Sequence, residues 1–137
     1  MTVFKFVISE NGKSYQLEID QARCEGIIGL KIGDKFSGDI IGLNGYELKI
    51  TGGTDRDGFP MRADIEGIGK KRVLFSKSCS FRGKKRIKKK MIKINGLRRR
   101  KTIRGNTISN FISQINCVVL KRGEKSLEEL IPKKEKK

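Results

Sequence analysis

The chain has 137 residues, with 32 Lys or Arg, 15 Asp or Glu and no His, and its formal net charge is +17. This length fits one domain with one core, and the absence of histidine removes the usual general base of enzymes that act at neutral pH. No apolar run is long enough to cross a bilayer and the N-terminus does not resemble a signal peptide, so we expect a cytoplasmic protein with no membrane role.

The chain begins with a hairpin pattern at residues 4–19. Apolar residues alternate with polar ones on both sides of Asn11-Gly12, a dipeptide that readily takes the positive φ angles of a tight turn. Residues 20–30 could begin a helical turn, but two glycines stop it early, so we expect mostly loop there.

A second hairpin pattern follows, with strands at 35–41 and 46–50 on either side of Asn44-Gly45. Four strands are therefore predicted before Thr51. The glycine-rich residues 51–62 are predicted to form a loop, in which a proline fixes the local backbone.

Strand patterns resume at 72–76 and at 111–120, and the latter is the longest β pattern in the chain, suited to the centre of a closed sheet. The spacing of Ser126 and Glu129 is that of a capping box and predicts a helix of one or two turns. Residues 132–137 are predicted to be a polar, disordered tail. Many short strands with glycine turns predict a mainly β fold: a small closed or partly open β-barrel with a basic arm or ribbon and a short C-terminal helix.

The positive charge is concentrated in the middle of the chain. The segment 67–123 holds most of the Lys and Arg residues and no acidic residue, whereas acidic side chains outnumber basic ones over 1–66. Within 82–104, more than half of the side chains are cationic. We therefore predict one domain over 1–131 that includes a basic excursion at 82–104, with a barrel built from 1–81 and 104–131.

Two conformations of the excursion remain open from the sequence. Residues 91–97 repeat the hairpin pattern with Asn95-Gly96 as the turn, which predicts a basic β-ribbon. The close spacing of like charges instead favours an arm that stays disordered until a polyanion neutralises it.

A single sign of charge over so long a stretch predicts a nucleic-acid partner, because each neutralised phosphate releases condensed counterions. No aromatic residue lies between 82 and 104, so phosphate contacts should dominate over base stacking. The predicted RNA-binding residues are Lys70, Lys71, Arg72, Arg82, Lys84, Lys85, Arg86, Lys88, Lys89, Lys90, Lys93, Arg98, Arg99, Arg100, Lys101 and Arg104.

Catalysis is not predicted. Cys24, Cys79 and Cys117 are too far apart for a C-x-x-C pair, and we interpret them as reduced, small apolar residues. Cys79 has basic neighbours that favour a thiolate, but it lacks a histidine partner. The acidic turn Asp55-Arg56-Asp57-Gly58 departs from the calcium-loop pattern, so neither a metal nor another cofactor is expected.

Several segments carry a family resemblance: TGGTDRDGFPMR at 51–62, RVLFSK at 72–77, RRRKTIRGNTIS at 98–109 and VVLKRGEKSLEELI at 118–131. Through them the chain resembles the archaeal and eukaryotic small-subunit ribosomal protein six family. The resemblance implies a non-catalytic β-barrel protein that binds ribosomal RNA (rRNA), and it maps the family's basic segment onto 82–104. The chain ends without the long basic extension of eukaryotic members, so the archaeal type is expected.

We therefore expect a structural constituent of the small ribosomal subunit that binds folded rRNA through its Lys/Arg-rich segment. Its partners would be small-subunit rRNA and neighbouring ribosomal proteins, with no small-molecule substrate, and it would reside in cytoplasmic ribosomes. The alternative, which charge alone leaves open, is a nucleic-acid-binding module of a chromatin or small-RNA particle outside the ribosome.

Overall fold

A computed structural model describes residues 2–131. The fold over this range is mainly β with a short C-terminal helix, as predicted; the predicted tail at 132–137 lies outside the described residues. The strands are β1 (Val3–Glu10), β2 (Lys13–Asp20), β3 (Lys35–Ser37), β4 (Glu47–Asp55), β5 (Lys70–Phe75), β6 (Lys84–Ile87), β7 (Lys90–Lys93), β8 (Arg99–Arg104) and β9 (Ile112–Lys121), and the helix is α1 (Leu127–Leu130).

A five-stranded sheet with the order β2-β1-β9-β4-β3 forms the body of the molecule. β9 pairs in parallel with β1 and antiparallel with β4, so the longest predicted strand does lie at the centre of the sheet. β2 and β3 are its two edges and do not pair with each other, so this sheet is only partly closed.

The first predicted hairpin is confirmed. β1 and β2 are joined by Asn11 and Gly12, whose φ angles of 47° and 79° are both positive, as a type I′ turn requires. Phe4, Phe6 and Ile8 alternate along β1 and point into the main core, where none of them is exposed to solvent.

The second hairpin differs from its prediction in one respect. β3 and β4 pair antiparallel, but β3 ends at Ser37, and the next residues form a 3-10 helix, Gly38–Ile41. The Ser37 hydroxyl accepts a hydrogen bond from the Asp39 amide (3.3 Å) and caps this helix. A local capping bond thus replaces strand pairing before the turn at Asn44-Gly45.

β4 continues into the segment that was predicted to be a loop. The prediction is wrong for residues 51–55, because Gly52 and Gly53 lie within the strand and pair with β9 at a register shift. A Cβ atom on Gly53 would lie 2.5 Å from the Gln114 carbonyl oxygen and 2.9 Å from Met61 Sδ. The glycines therefore permit a close approach of two chains and do not break the strand.

The interior consists of two apolar clusters. The larger one lies beneath the five-stranded sheet and includes α1 through Leu127. The smaller one consists of Phe75, Phe81 and Ile103, with partly buried neighbours, and it supports a separate two-stranded sheet of β5 and β8.

Two of the three cysteines belong to the interior, as their interpretation as apolar residues requires. Cys24 and Cys117 are buried free thiols, and burial raises the pKa of the Cys117 thiol to about 12. Cys79 is a free thiol too, but it is exposed.

A buried ion pair connects the two sheets. Asp55 ends β4, and its Oδ2 accepts a hydrogen bond from Arg104 Nε (3.1 Å) at the end of β8 and lies 3.0 Å from Arg104 Nη2 in the ion pair. Its Oδ1 accepts the amides of Asp57 (3.0 Å) and Phe59 (2.8 Å), while Arg104 Nη1 donates to the Ile68 carbonyl oxygen (3.1 Å). The Asp55 carboxylate is fully buried and Arg104 nearly so, and both have partners for their polar atoms.

We expect Asp55→Ala to destabilise the protein by about 3–5 kcal/mol, because it leaves the buried Arg104 guanidinium without its counter-ion. Denaturant unfolding, with a check that the slope of the transition is unchanged, measures this loss. The matched control is Asp64→Ala, which removes the exposed carboxylate that pairs with Arg62 Nε (2.7 Å) and should cost no more than about 1 kcal/mol. Equal losses in the two variants would contradict the role assigned to the buried pair.

Candidate nucleic-acid interface

The most exposed cationic feature is a hairpin formed by β6 and β7, residues 84–93, which we call the cationic ribbon. Every residue from Lys84 to Gly96 is exposed to solvent. The strands pair antiparallel from Lys84 opposite Lys93 to Ile87 opposite Lys90. The basic excursion therefore contains a ribbon, one of the two conformations left open by the sequence.

The turn of the ribbon is not where the sequence placed it. It consists of Lys88 and Lys89, with φ angles of 46° and 69°. The predicted turn at Asn95-Gly96 is present, but it follows the ribbon and leads into β8. A left-handed backbone costs an ordinary residue roughly 1–2 kcal/mol, so nothing in the propensity of lysine predicts this turn.

Both faces of the ribbon carry positive charge. Directly opposite residues of an antiparallel pair lie on the same face. One face therefore presents Lys84, Arg86, Met91 and Lys93, and the other presents Lys85, Ile87, Lys90 and Ile92.

The ribbon has little to stabilise it internally. Like charges on opposite residues, as at Lys84 and Lys93, destabilise a strand pair, and a two-stranded hairpin alone is marginal in water. The apolar side chains of Ile87, Met91 and Ile92 are 39–62% exposed and bury little area to offset this.

A second cationic surface is formed by the sheet of β5 and β8. The face that carries Val73, Phe75 and Ile103 packs on the smaller core, and Lys101 on the same face lies 5.7 Å from the centroid of the Phe81 ring. The opposite face carries Lys70, Arg72, Leu74, Arg100 and Thr102, and it ends at Arg104, whose side chain is buried.

Two of the predicted contact residues form ion pairs within the protein. Arg104 is buried and holds Asp55, as described above. Lys70 forms an ion pair with Asp57, and this hydrogen bond is the main reason why the pKa of the Asp57 carboxyl lies below its ordinary value. None of the other predicted residues forms an ion pair with a carboxylate within residues 2–131.

The cations converge at the base of the ribbon. A groove of about 440 Å³ there is lined by Lys77, Ser78, Arg82, Lys84 and Lys93. Lys77 was not among the predicted contact residues, although it belongs to the acid-free stretch. Four cationic groups and a hydroxyl around one concave surface suit an anion such as a phosphate.

The loop that carries Lys77 and Arg82 is held in place by Arg62. The Arg62 guanidinium lies 4.4 Å from the centroid of the Phe75 ring, and its Nη1 donates to the hydroxyls of Ser80 (3.0 Å) and Ser78 (3.4 Å). The same nitrogen is 3.7 Å from Cys79 Sγ. Cys79 thus adjoins a structural arginine.

Within residues 2–131 there is no cluster of three or more His, Cys, Asp or Glu residues that could hold a metal ion. In the same range, no helix has the length and apolar character needed to span a membrane.

The known proteins that this chain is similar to carry the name of one family. A sequence profile of the family described as Ribosomal protein S6e matches residues 4–132. Proteins named small ribosomal subunit protein eS6 are similar over almost their whole lengths. That of Methanothermobacter thermautotrophicus is 51% identical, covering 93% of this chain and 94% of the relative. That of Methanocaldococcus jannaschii is 48% identical (96% and 92%), and that of Archaeoglobus fulgidus is 47% identical (96% and 98%).

The family profile spans both the five-stranded sheet and the cationic surfaces, and the similarity to archaeal relatives extends over the same range. This chain therefore belongs to the ribosomal protein S6e family.

Proposed function

We propose that this protein is a structural, non-enzymatic component of the small ribosomal subunit that binds folded rRNA through the cationic ribbon and the adjoining sheet. It acts within cytoplasmic ribosomes, among neighbouring ribosomal proteins. One observation carries the proposal: the acid-free stretch from Gly67 to Gly123 presents a fully exposed ribbon with cations on both faces.

The ribbon carries cations on both faces, and this limits the ways in which it can bind RNA. A surface that lies flat on a helix needs cations on one face only, whereas this ribbon carries them on both. It is therefore suited to insertion between RNA segments, where phosphates approach from both sides. The major groove of regular A-form RNA is deep and narrow, so a junction or an irregular helix is the better fit.

The groove at the base of the ribbon supplies a fixed anchoring point. Arg82 can bind a phosphate in a bidentate manner, while Lys77, Lys84 and Lys93 add mobile point charges around the same space. Arg98, Arg99 and Arg100 extend the cationic surface from the ribbon into β8. Arg104, and Lys70 while it is paired with Asp57, are excluded from the proposed contact set.

Salt dependence tests the phosphate contacts. If about 6–10 cations meet phosphates, the affinity for small-subunit rRNA should fall by about 10³–10⁵ between 50 and 200 mM salt. Lys85→Ala/Lys90→Ala should reduce the slope of log affinity against log salt by about 2, because each lost phosphate contact lowers it by about 1. Filter binding across a salt series measures both quantities.

The matched control is Lys5→Ala/Lys35→Ala, which removes the same net charge from exposed positions on the five-stranded sheet. It should leave the slope unchanged. If the wild-type affinity varied little with salt, or if both double variants changed the slope equally, the ribbon would not be the rRNA contact.

Two double variants of the ribbon turn can distinguish the effect of its charge from the effect of its backbone conformation. Lys88→Asn/Lys89→Gly supplies residues suited to positive φ, so amide protection in the ribbon of the free protein should rise while rRNA affinity falls with the loss of two charges. Lys88→Gln/Lys89→Gln removes the same charges but keeps the unfavourable backbone. Hydrogen exchange and rRNA titration distinguish the two variants. If both variants kept the wild-type rRNA affinity and salt slope, the tip of the ribbon would not belong to the RNA interface.

Sedimentation separates the ribosomal assignment from a general nucleic-acid-binding module. The tagged protein should remain with small subunits through a high-salt wash, because many contacts hold it in an assembled particle. Complete release into the supernatant, together with equal affinity for unrelated RNA, would favour the module outside the ribosome.

A further inference from the structure

We propose a second RNA subsite, at which the ring of Phe111 stacks on an unpaired base of rRNA. The inference rests on the proposed rRNA-binding function, but it concerns a different part of the surface, formed by the loop after β4 and the residue that precedes β9. It also departs from the sequence-based expectation that base stacking contributes little.

The aromatic side chain of Phe111 is exposed to solvent, and its backbone is held by hydrogen bonds. It is 57% exposed, although its neighbour in the chain, Ile112, is fully buried. Its backbone is fixed at both polar groups: its carbonyl oxygen accepts the Arg56 amide (3.0 Å), and its amide donates to the Ser109 hydroxyl (3.4 Å). A ring on a fixed backbone loses little conformational entropy when a ligand stacks on it.

A fixed cation lies behind the ring. The guanidinium carbon of Arg104 is 5.4 Å from the centroid of Phe111, and that guanidinium is itself bound to Asp55 and to the Ile68 carbonyl oxygen. Since Arg104 covers one face of Phe111 and more than half of the side chain remains exposed, the open area lies mainly on the other face and the ring edge. One open aromatic face is what a nucleobase needs for stacking.

The charges around the ring favour a nucleotide over an apolar partner. The Arg56 guanidinium donates to the Asn110 carbonyl oxygen (2.9 Å), beside Phe111, and has no carboxylate partner within residues 2–131. Asp55 and Asp57, the acids nearby, are engaged by Arg104 and Lys70. The N–H groups of the Arg56 guanidinium that do not bond Asn110 can thus donate to the phosphate of the nucleotide whose base stacks on the ring.

The subsite lies at the far end of β8 from the ribbon. Arg99 begins the strand on the ribbon side, and Arg104, which contacts Phe111, ends it, so about 17 Å of strand separates the two ends. If one rRNA segment bound both the ribbon and the Phe111 subsite, each contact would raise the effective concentration of RNA at the other.

Phe111→Leu keeps an apolar side chain but removes the aromatic face, whereas Phe111→Trp keeps a face for stacking. For archaeal small-subunit rRNA, Phe111→Leu should weaken binding by about 5- to 150-fold with an unchanged salt slope, and Phe111→Trp should bind like the wild type. A short single-stranded RNA that contains aminopurine should lose fluorescence on binding the wild type and Phe111→Trp, but not Phe111→Leu. Leu120→Ala, an exposed apolar change on β9, is the matched control and should behave like the wild type.

The outcomes separate this inference from the function on which it rests. Salt-dependent rRNA binding that is equal in the wild type and Phe111→Leu overturns the stacking subsite and leaves the proposed function standing. No salt-dependent binding by the wild type overturns the proposed function itself. Normal rRNA affinity of Phe111→Leu with poor incorporation into reconstituted subunits assigns Phe111 to a protein neighbour and overturns the RNA subsite. Thermal melting of each variant verifies that it is folded.

Discussion

The buried pair between Asp55 and Arg104 is the contact on which the arrangement of the molecule depends. Asp55 ends a strand of the five-stranded sheet, and Arg104 ends a strand of the small cationic sheet. A charge that is removed from water is stable only when it is paired and hydrogen-bonded, so neither strand end can move without the other. This contact therefore fixes the end of β8 against the end of β4.

The main core and the proposed RNA contacts lie in different parts of the chain. The five-stranded sheet and α1 surround the larger core, so the ribbon contributes almost nothing to folding. Its residues are therefore free to be cationic on both faces, at the cost of mutual repulsion. RNA phosphates would relieve that repulsion, so an element with little internal stabilisation is well matched to a polyanion.

The sequence predicted those features that depend on local chemistry. Asn11-Gly12 located the first hairpin, and the β pattern at 111–120 located the central strand. The ribbon turn was missed because lysines at Lys88 and Lys89 carry no local signal for a left-handed backbone. The glycines of β4 were mistaken for a loop because their role depends on how closely β9 approaches. Arg104 could not be distinguished from the neighbouring arginines, since its burial depends on Asp55, a residue 49 positions away.

The uneven distribution of charge has a consequence for assembly. The net negative segment 1–66 contributes its strands to the five-stranded sheet, whereas most of the uncompensated cations lie on the ribbon and on the sheet of β5 and β8, so the molecule has an electric dipole moment. In the field of a polyanion, such a dipole experiences a torque that turns its positive end forward before any contact is made. For the proposed rRNA partner, this torque would orient the protein before contact, and the effect would be strongest at low ionic strength, where charges are least screened.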